Sequence, residues 1–263
     1  MKKIHLIPTA GLGNRLRTIS SVYNFCRNNH IELVIHWHRQ YGLNATFSSL
    51  FESIPNSEII DCNPLDFFTY NVPMKYNLFL PRLLDKCFHR KVIYGLGLNK
   101  LGSLDIIENL IVSTYSQQGE LYPLDKLFRP IMRIQKIIDD FTSQFGAYTI
   151  GCHIRRTDNT ISINNSSVDK FEKKFEELFS INPTAQVFLC TDDLALKSYL
   201  TEKYSGRILT YNSTLNRNST MGIRDAVVEL WLLSMTKEIW GSYWSSFTDM
   251  AVLLRNVKYT IIK

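Results

Sequence analysis

The chain has 263 residues, of which 45% are hydrophobic and 21% charged, a composition typical of a globular protein with room for two domains of ordinary size. The formal net charge of +6 favours an anionic partner, namely a nucleotide, a phosphorylated lipid, a membrane surface or nucleic acid, although a basic surface without function gives the same total. No apolar run is long enough for a transmembrane helix, and the five cysteines are widely spaced without a C-x-x-C pair, which argues against a disulfide framework and a zinc site.

The chain begins with a predicted strand–loop–helix–strand unit whose loop contains two glycines. Gly11 and Gly13 are followed by Asn14 and Arg15. Such a turn presents backbone N–H groups and a helix N-terminus to an anion, and a tight turn that needs small residues is the alternative. The third glycine and the acidic residue of a dinucleotide fingerprint are missing, so NAD is not predicted. The predicted elements are a strand at 4–7, a helix at about 16–27 and a strand at 32–37.

The middle of the chain, residues 42–118, has a less regular pattern. Its aromatic residues are assigned mainly to the core, with an acceptor groove as the alternative because sugars stack on aromatic faces. Gly119 and Pro123 interrupt a polar stretch and predict a domain boundary, giving domains at 1–122 and 123–263. The predicted elements are a helix at 47–54, a strand at 58–61, a helix at 78–89 and a strand at 110–112. The aromatic residues are Phe67, Phe68, Tyr70, Tyr76 and Phe79.

The second predicted domain alternates strands and helices regularly. This alternation indicates a parallel sheet with right-handed crossovers, and therefore an α/β fold. The predicted strands are 148–154, 186–190, 207–211, 238–240 and 259–262. The predicted helices are 131–141, 169–179, 193–204, 224–236 and 247–255.

Polar residues follow four of these strands, where ligands of open α/β sheets bind. Arginine matches phosphate oxygens bidentately, and serines beside a helix N-terminus favour phosphate as well. Each residue also has a purely structural explanation. The arginines could be solvated charges at a strand end, and Asp192, Asp193 and Ser245 could be helix N-caps. Asp225 could place a negative charge in the first turn of its helix. The residues concerned are Arg155, Arg156, Asp158, Thr191, Asp192, Asp193, Asp225, Ser245 and Ser246.

The order and rough spacing of these motifs resemble the GDP-fucose-dependent fucosyltransferases of the α1,6 type, to which protein O-fucosyltransferases are related. The resemblance covers the first strand–loop–helix–strand unit and most of the second domain, but not residues 42–118. The motifs that carry it are Gly11 to Arg15, His153 to Asp158, Thr191 to Asp193, Asp225 with Glu229 and Leu232 to Ser234, and Ser245 to Phe247.

The resemblance implies a GT-B-like fold of two Rossmann-like domains that face a cleft. It implies GDP-fucose as the donor, bound mostly by the second domain, with the first domain on the acceptor side. It also implies inversion at the anomeric carbon, no metal and no cofactor beyond the donor. This agrees with the chemistry, because arginines placed where charge develops on a departing phosphate replace a divalent ion. The sequence has no D-x-D motif of the metal-binding kind, since Asp192 and Asp193 are adjacent.

Carried over to this chain, the resemblance makes Arg155 the residue that holds the β-phosphate and Arg156 its support. His153 and Asp225 are expected near the guanosine, Ser245 or Ser246 at the phosphates, and Asn14 across the cleft. The full expected donor-binding set is Gly11, Gly13, Asn14, Arg15, His153, Asp192, Asp225, Ser245, Ser246 and Phe247. The expected catalytic residues are Arg155, Arg156 and Asp158.

The sequence departs from the family at the general base and at Arg15. Some members carry an acidic residue several positions after the arginine pair. In this chain, residues 159–168, which follow Asp158, contain no carboxylate. The base therefore stays open between Asp158, a first-domain carboxylate, and a reaction with oxocarbenium character and little base assistance. Arg15 stands where many relatives have glutamine.

The expected function is fucosyl transfer to a soluble or lipid-linked oligosaccharide in bacterial polysaccharide or cell-surface glycan synthesis. The alternatives are transfer from another GDP-sugar and a non-catalytic relative that binds glycans or nucleotides. Nucleic-acid binding is disfavoured, because no lysine-rich helix, aromatic ladder or zinc pattern is present. The cysteines and the N-terminus, which lacks a signal peptide, predict a cytoplasmic location, and the positive charge predicts peripheral contact with the anionic inner membrane face.

Overall fold

Two parallel five-stranded sheets organise the protein. The computed structural model describes residues 2–62, 91–104, 106 and 109–263. The first sheet has the order β3-β2-β1-β5-β4, and the second has the order β10-β9-β6-β7-β8. The strands of the first sheet are β1 (Lys3–Pro8), β2 (Glu32–His38), β3 (Ser57–Cys62), β4 (Lys91–Tyr94) and β5 (Asn109–Thr114). Those of the second are β6 (Thr149–Ile154), β7 (Gln186–Thr191), β8 (Ile208–Leu209), β9 (Ile239–Ser242) and β10 (Tyr259–Ile262).

Helices connect most of these strands, as parallel pairing requires. They pack on the sheets through apolar faces. In the second sheet Phe171 and Phe175 are fully buried against Val187, Leu189 and neighbouring residues. In the described part of the chain the helices are α1 (Leu12–Asn28), α2 (Leu124–Leu127), α3 (Met132–Thr142), α4 (Thr160–Asn165), α5 (Val168–Ile181), α6 (Leu194–Lys203), α7 (Thr220–Ser234) and α8 (Ser246–Arg255). None of them is both long and apolar enough to cross a membrane.

The chain divides into two compact units. The first unit comprises Met1–Ile131 together with Asn216–Ile223, and the second comprises Met132–Leu215 together with Arg224–Lys263. The predicted boundary between residues 122 and 123 therefore falls inside the first unit. That 1–122 and 123–263 act as an acceptor domain and a donor domain stays a prediction.

The segment Asn216–Ile223 is joined to the loop after β2 by a set of hydrogen bonds. The backbone N–H of Asn44 donates to the carbonyl of Arg217 at 3.2 Å, and that of Gly42 donates to Asn218 Oδ1 at 2.8 Å. Thr220 Oγ1 donates to the carbonyl of Asn44 at 3.1 Å. A stretch that lies late in the sequence thus belongs structurally to the first unit.

Most predicted elements are confirmed, but the helix predicted at 47–54 is wrong. The carbonyl of Phe47 accepts from the N–H groups of Leu50 and Phe51, which closes one turn. The carbonyl of Leu50 then accepts from Ile131, and Phe51 forms a bridge with Pro130, so the backbone continues in an extended form. The helix predicted at 78–89 and the aromatic residues between Phe67 and Phe79 lie outside the described residues.

Two further boundaries differ from the prediction. Helix α4 was not predicted, and it begins where the Asn159 side chain accepts a hydrogen bond from Ser162 N at 3.1 Å. Helix α7 begins at Thr220 rather than at Arg224, so Asp225 does not belong to its first turn. The explanation of Asp225 as a charge in a first turn is therefore wrong.

Candidate functional site

The candidate site of the second unit lies at the carboxyl edge of its sheet. Ile154 at the end of β6 pairs with Thr191 at the end of β7. Because the two strands are parallel and end level with each other, Arg155 and Asp192 emerge side by side. The sequence therefore brings a cationic loop and a carboxylate together through strand register alone.

The Asp192 carboxylate orders the loop that carries the two arginines, which we call the arginine loop (residues 155–158). One oxygen accepts from the backbone N–H of Arg156 at 2.7 Å. The other accepts from Thr157 Oγ1 at 2.6 Å and lies 3.2 Å from Arg155 Nε. Burial opposes the charge of Asp192, but the Thr157 hydrogen bond, the Arg155 charge and the Arg156 amide outweigh it, so the pKa of Asp192 lies below its ordinary value.

The N-cap of α6 is Asp193 and not Asp192. Asp193 Oδ1 accepts from Leu196 N at 3.0 Å. The two adjacent carboxylates thus have different tasks, since one begins a helix and the other holds the arginine loop. Helix capping, the structural alternative for both residues, therefore explains Asp193 but not Asp192.

The two arginines of the loop differ in their surroundings. Arg155 is mostly buried, pairs with Asp158 and Asp192, and donates its backbone N–H to Ser242 Oγ at 3.0 Å. Its Nη1 has no partner in the described part of the chain. The guanidinium of Arg156 makes neither an ion pair nor a hydrogen bond with any described residue. One arginine is therefore fixed in place, and the other is available to a ligand.

Asp158 is occupied by its contact with Arg155. The ion pair joins Asp158 Oδ1 to Arg155 Nη2, and the Asp158 side chain is 56% exposed. This contact supports a role for Asp158 in orienting the guanidinium. Its expected service as a general base stays a prediction.

A second cluster surrounds His153, which lies at the end of β6 and is 4% exposed. Its Nδ1 lies 2.9 Å from Thr248 Oγ1 and 3.3 Å from Ser245 Oγ, and its ring lies 4.9 Å from that of Phe247, centroid to centroid. Ser245 occupies the N-cap position of α8 but makes no capping hydrogen bond. The capping alternative for Ser245 is therefore not realised, and its hydroxyl faces the histidine. Ser246 is exposed at the first turn of α8.

Close packing of α8 on β9 makes the contact between Thr248 and His153 possible. A Cβ at Gly241 would lie 2.2 Å from Thr248 Cγ2, so only glycine permits this approach. Thr248 was not identified from the sequence, and neither were Thr157 and Ser242. The one signal that pointed to Thr248 was a glycine inside a buried strand that faces a helix.

Asp225 belongs to a separate polar network behind the loop that follows β8. It is 2% exposed and accepts from Tyr211 Oη at 3.3 Å, from Thr214 N at 3.0 Å and from Arg224 Nη2 at 3.1 Å. These three contacts do not join Asp225 to the arginine loop. Asp225 thus fixes the loop after β8, and contact with a guanosine stays a prediction.

A buried ion pair supports the same loop and was not predicted from the sequence. Lys197 Nζ lies 3.4 Å from Glu229 Oε1 and also donates to Ser213 Oγ and to the carbonyl of Tyr211. Ser213 Oγ donates to the same glutamate oxygen at 2.9 Å. Burial raises the pKa of Glu229. The loop after β8 is therefore held by two charged networks, one around Asp225 and one around Glu229.

The first unit contributes a second candidate region at the start of α1. Gly11 is the N-cap residue and makes no side-chain hydrogen bond, and Gly13 is buried within the first turn. Asn14 is half-buried, and its side chain has no hydrogen-bond partner among the described residues. The α1 N-terminus thus offers backbone donors and one amide side chain to an anion.

Arg15 lies inside the first unit and is fully buried. Its Nε donates to the carbonyl of Ala10 at 3.0 Å and its Nη1 to that of His38 at 2.7 Å. The guanidinium carbon lies 4.7 Å from the Trp37 ring centroid. Burial lowers the pKa of Arg15 to about 9, so the group is still charged at neutral pH. Arg15 therefore ties the glycine loop to the end of β2, and a direct contact with a donor stays a prediction.

The described residues contain no group of three or more His, Cys, Asp or Glu side chains suited to holding a metal ion. Among the described residues, the expected site residues form four groups. Three lie in the second unit, namely the arginine loop with Asp192, the group around His153 and the network around Asp225, and the fourth lies at the start of α1 in the first unit.

Comparison with solved structures shows which fold this is. The α-1,6-fucosyltransferase NodZ soaked with GDP-fucose matches with a TM-score of 0.64 and 18% identity over 96% of this chain and 92% of that one. A variant of FUT1 from Arabidopsis thaliana in complex with GDP gives 0.62 and 17% over 99% and 70%. POFUT1 in complex with GDP gives 0.60 and 12% over 99% and 98%. No protein family and no curated protein sequence matches the chain.

The chain therefore has the GT-B-like α/β fold of these fucosyltransferases, and the predicted fold class is confirmed. The resemblance stated from the sequence motifs is confirmed at the level of the fold. At 12% to 18% identity the similarity carries no residue assignment, so the roles of the site residues rest on the geometry given above.

Proposed function

We propose that the chain is a glycosyltransferase that moves fucose from GDP-fucose to a glycan acceptor, with inversion at the anomeric carbon and without a metal ion. The observation that carries the proposal is the arginine loop. Arg155 is fixed by two carboxylates, and the guanidinium of Arg156 has no partner among the described residues, at the sheet edge where this kind of fold binds ligands.

The chemistry of the donor supports these roles. Breaking the bond between fucose and GDP places negative charge on the β-phosphate, and fixed cationic donors stabilise that charge. Arg155 is already oriented by Asp158 and Asp192, so little reorganisation is required when the phosphate arrives. Arg156 supplies a second cation, and Ser245 and Ser246 lie beside the positive end of α8.

The remaining expected residues complete the proposed donor site. His153 and Asp225 are assigned to the guanosine, and Phe247, whose ring lies 4.9 Å from that of His153, is assigned to the donor without a specified moiety. In the first unit, Gly11, Gly13 and Asn14 are assigned to the donor through the α1 N-terminus, with Arg15 holding their loop. The general base stays open among Asp158, a carboxylate of the first unit, and a dissociative reaction with little base assistance.

Calorimetry without metal tests this proposal. We expect GDP to bind, UDP, ADP and CDP to bind more weakly, and a chelator to have no effect. Arg155→Ala should weaken GDP binding, whereas Arg133→Ala, which removes an exposed arginine of α3, should not. A preference for UDP or a dependence on metal would overturn the donor assignment. Release of GDP from GDP-fucose in the presence of a mixed oligosaccharide pool then tests transfer.

Two alternatives are separated by the same measurements. Most of the assigned residues would touch GDP and not the sugar, so the donor could be another GDP-sugar. The protein would then bind GDP and consume that GDP-sugar, but it would not consume GDP-fucose. A non-catalytic binder is favoured by the engagement of Asp158 with Arg155. It would bind GDP or glycans and turn over no GDP-sugar.

The cellular setting belongs to the same proposal. Synthesis of a bacterial polysaccharide or cell-surface glycan on a lipid-linked or soluble acceptor fits a basic protein that meets the anionic cytoplasmic face of a membrane. Transfer activity that rises when the acceptor is presented on anionic vesicles would support this setting, and equal activity on neutral vesicles would contradict it.

A further inference from the structure

An exposed tryptophan stands at the edge of the candidate site. Trp244 lies in the turn between β9 and α8, directly before Ser245, and is 68% exposed. The other three tryptophans, Trp37, Trp231 and Trp240, are at most 9% exposed. Exposure alone does not distinguish this ring, since other large side chains such as Tyr41 are more exposed, but Trp244 is an exposed ring directly beside the polar residues of the candidate site.

The backbone of Trp244 adopts a conformation that disfavours a bulky side chain. Its φ is +58°, in the left-handed region where residues other than glycine, asparagine and aspartate are uncommon. A strained residue of this kind persists only where its surroundings impose it, and such residues concentrate at ligand sites. Glycine would relieve the strain, so the presence of tryptophan here needs a reason other than backbone geometry.

Neighbouring side chains impose this conformation. Asn159 Nδ2 donates to the carbonyl of Trp244 at 2.9 Å, while Asn159 Oδ1 caps α4. The N–H of Tyr243 donates to Ser166 Oγ at 2.8 Å. The backbone of the turn that carries Trp244 is therefore attached to the segment that follows the arginine loop.

The strand order indicates which end of the donor Trp244 faces. In the order β10-β9-β6-β7-β8, the arginine loop follows β6, which lies between β9 and the β7–β8 pair. Asp225 fixes the loop after β8 on one side of the arginine loop, and Trp244 follows β9 on the other. With the phosphates on the arginines and the guanosine toward Asp225, the sugar end of the donor and its acceptor lie on the Trp244 side.

We propose that Trp244 is a stacking platform for a pyranose ring of the acceptor glycan. The inference rests on the proposed function and adds a sugar subsite to it. A rigid indole offers a broad apolar face to the C–H groups of a sugar ring at low entropic cost, which suits an acceptor whose hydroxyls bind elsewhere.

Fluorescence quenching tests the platform without any turnover. Trp244 should be the one tryptophan readily quenched by acrylamide, and Trp244→Phe should remove that component. Oligosaccharides from a mixed neutral pool should protect Trp244 from acrylamide, whereas GDP alone should not. Protection by GDP alone would assign the indole to the guanine base, and protection only by anionic vesicles would assign it to a membrane. Either result overturns the inference, as does a failure of every oligosaccharide to protect a protein that binds GDP.

Substitutions separate stacking from backbone strain. Trp244→Ala and Trp244→Gly both remove the ring, but only glycine accepts the positive φ. We expect both to raise the acceptor KM about tenfold, with the Kd for GDP changed by less than twofold, while Trp244→Phe retains most of the acceptor affinity. Tyr259→Ala, which removes an exposed ring at the opposite, amino end of β10, serves as the matched control.

The two hypotheses fail in distinguishable ways. If GDP does not bind, the proposed function is wrong and the acceptor KM cannot be used. The protection of Trp244 from acrylamide by oligosaccharides then tests the stacking platform by itself. If GDP binds and GDP-fucose is consumed, but the acceptor KM of the alanine and glycine variants equals that of the wild type, the platform is wrong and the proposed function stands.

Discussion

At the scale of single residues, Asp192 shows how one carboxylate can order a cationic loop. Its two oxygens take up the Arg156 amide, the Thr157 hydroxyl and the Arg155 guanidinium. The arrangement resembles the way a buried acid orients a catalytic base, because the acid fixes the geometry of the group that meets the substrate. The geometry of the arginine loop therefore depends on residues that follow two different strands.

This arrangement predicts unequal effects of three substitutions. Arg155→Ala should lower turnover of GDP-fucose by roughly 10²- to 10³-fold, because a fixed donor to the developing charge is lost. Asp192→Asn should cause a smaller loss, since the arginine remains but its orientation relaxes. Thr157→Ser, which keeps the hydroxyl on Asp192, should resemble the wild type. Steady-state kinetics of GDP release measure all three, and wild-type kcat in Asp192→Asn would refute the positioning role.

A group of buried imidazoles makes the first unit sensitive to acid. His36 is 2% exposed, its Nε2 lies 3.0 Å from His5 Nδ1, and Cys62 Sγ lies 4.0 Å from its Nδ1. Burial lowers the pKa of His36 to about 3, with the charges of His5 and His38 acting in the same direction. The unfolded chain therefore binds a proton at this site at a higher pH than the folded chain does.

The sign of the effect follows from that difference. The native state is fully favoured above the ordinary histidine pKa of about 6.5, and stability is lost as the pH falls from there toward about 3. We expect His36→Gln to flatten the fall in the free energy of unfolding measured by urea titration between pH 7 and pH 4. His30→Gln, at an exposed position, is the control and should leave the slope unchanged. An unchanged slope in His36→Gln would contradict the prediction.

Arg15 has a structural task that predicts a stability effect. Its guanidinium satisfies the carbonyls of Ala10 and His38 within the first unit. Arg15→Met keeps much of the volume but leaves both acceptors unsatisfied, which should cost roughly 1–3 kcal/mol in the free energy of unfolding. Arg15→Gln has one amide donor group and should lose less. Urea denaturation measures the order of stability, and a methionine variant as stable as the wild type would show that the two hydrogen bonds contribute nothing net.

At the scale of elements, the packing of α8 on β9 couples the core to the site. The missing Cβ of Gly241 makes room for Thr248, which in turn reaches His153. Gly241→Ala should destabilise the protein by roughly 1–3 kcal/mol, because the helix must move away from the strand. It should also weaken GDP binding, because Thr248 moves with the helix.

A double-mutant cycle tests this coupling. Thr248→Ala removes the methyl and hydroxyl groups that meet the new Cβ, so Gly241→Ala should cost less in its presence. The two variants and their combination, measured by urea denaturation, give the coupling directly. Additive losses would show that the contact between the strand and the helix does not limit the position of α8.

The sequence predicted elements well where burial decides their type. The strands other than β4 (Lys91–Tyr94) were predicted as apolar runs between turn residues, and a helix after the glycines was predicted as well, whereas β4 was not predicted. The prediction of a helix at 47–54 was wrong because this segment forms backbone hydrogen bonds with residues 129–131, which lie far away in the sequence. Helix α4 is polar and short, so its only signal is the cap at Asn159.

Prediction of the site was limited in the same way. Residue type and position at strand ends predicted that Arg155, Asp192 and Ser245 lie at one edge of the sheet, because parallel strands bring their carboxyl ends together there. The individual contacts of these residues could not be predicted, because they depend on side chains that meet only in the folded chain, as Thr248 and His153 do. The burial of Arg15 was not predicted, because its partners are backbone carbonyls that no sequence pattern indicates.

At the scale of the whole molecule, charge is the property that acts at a distance. The net charge of +6 and the sequence pI near 9.0 predict attraction to an anionic surface. We expect the protein to float with vesicles that contain anionic lipid more than with neutral vesicles, and the difference to shrink as salt is raised from 50 to roughly 500 mM. Equal flotation with both kinds of vesicle would show that the charge serves only the nucleotide site or solubility.

The return of Asn216–Ile223 to the first unit has a consequence for how the protein is made. A ribosome delivers the N-terminus first, and a leading domain ordinarily folds while the rest is still being translated. Here the partners of Gly42 and Asn44 emerge only after residues 132–215 of the second unit. We therefore expect the loop after β2 to lack its hydrogen bonds to Asn218 and Thr220 until translation has passed residue 223. A stalled chain that ends at residue 215 should be cut by protease near residue 42, and one that ends a full tunnel length beyond residue 223 should resist.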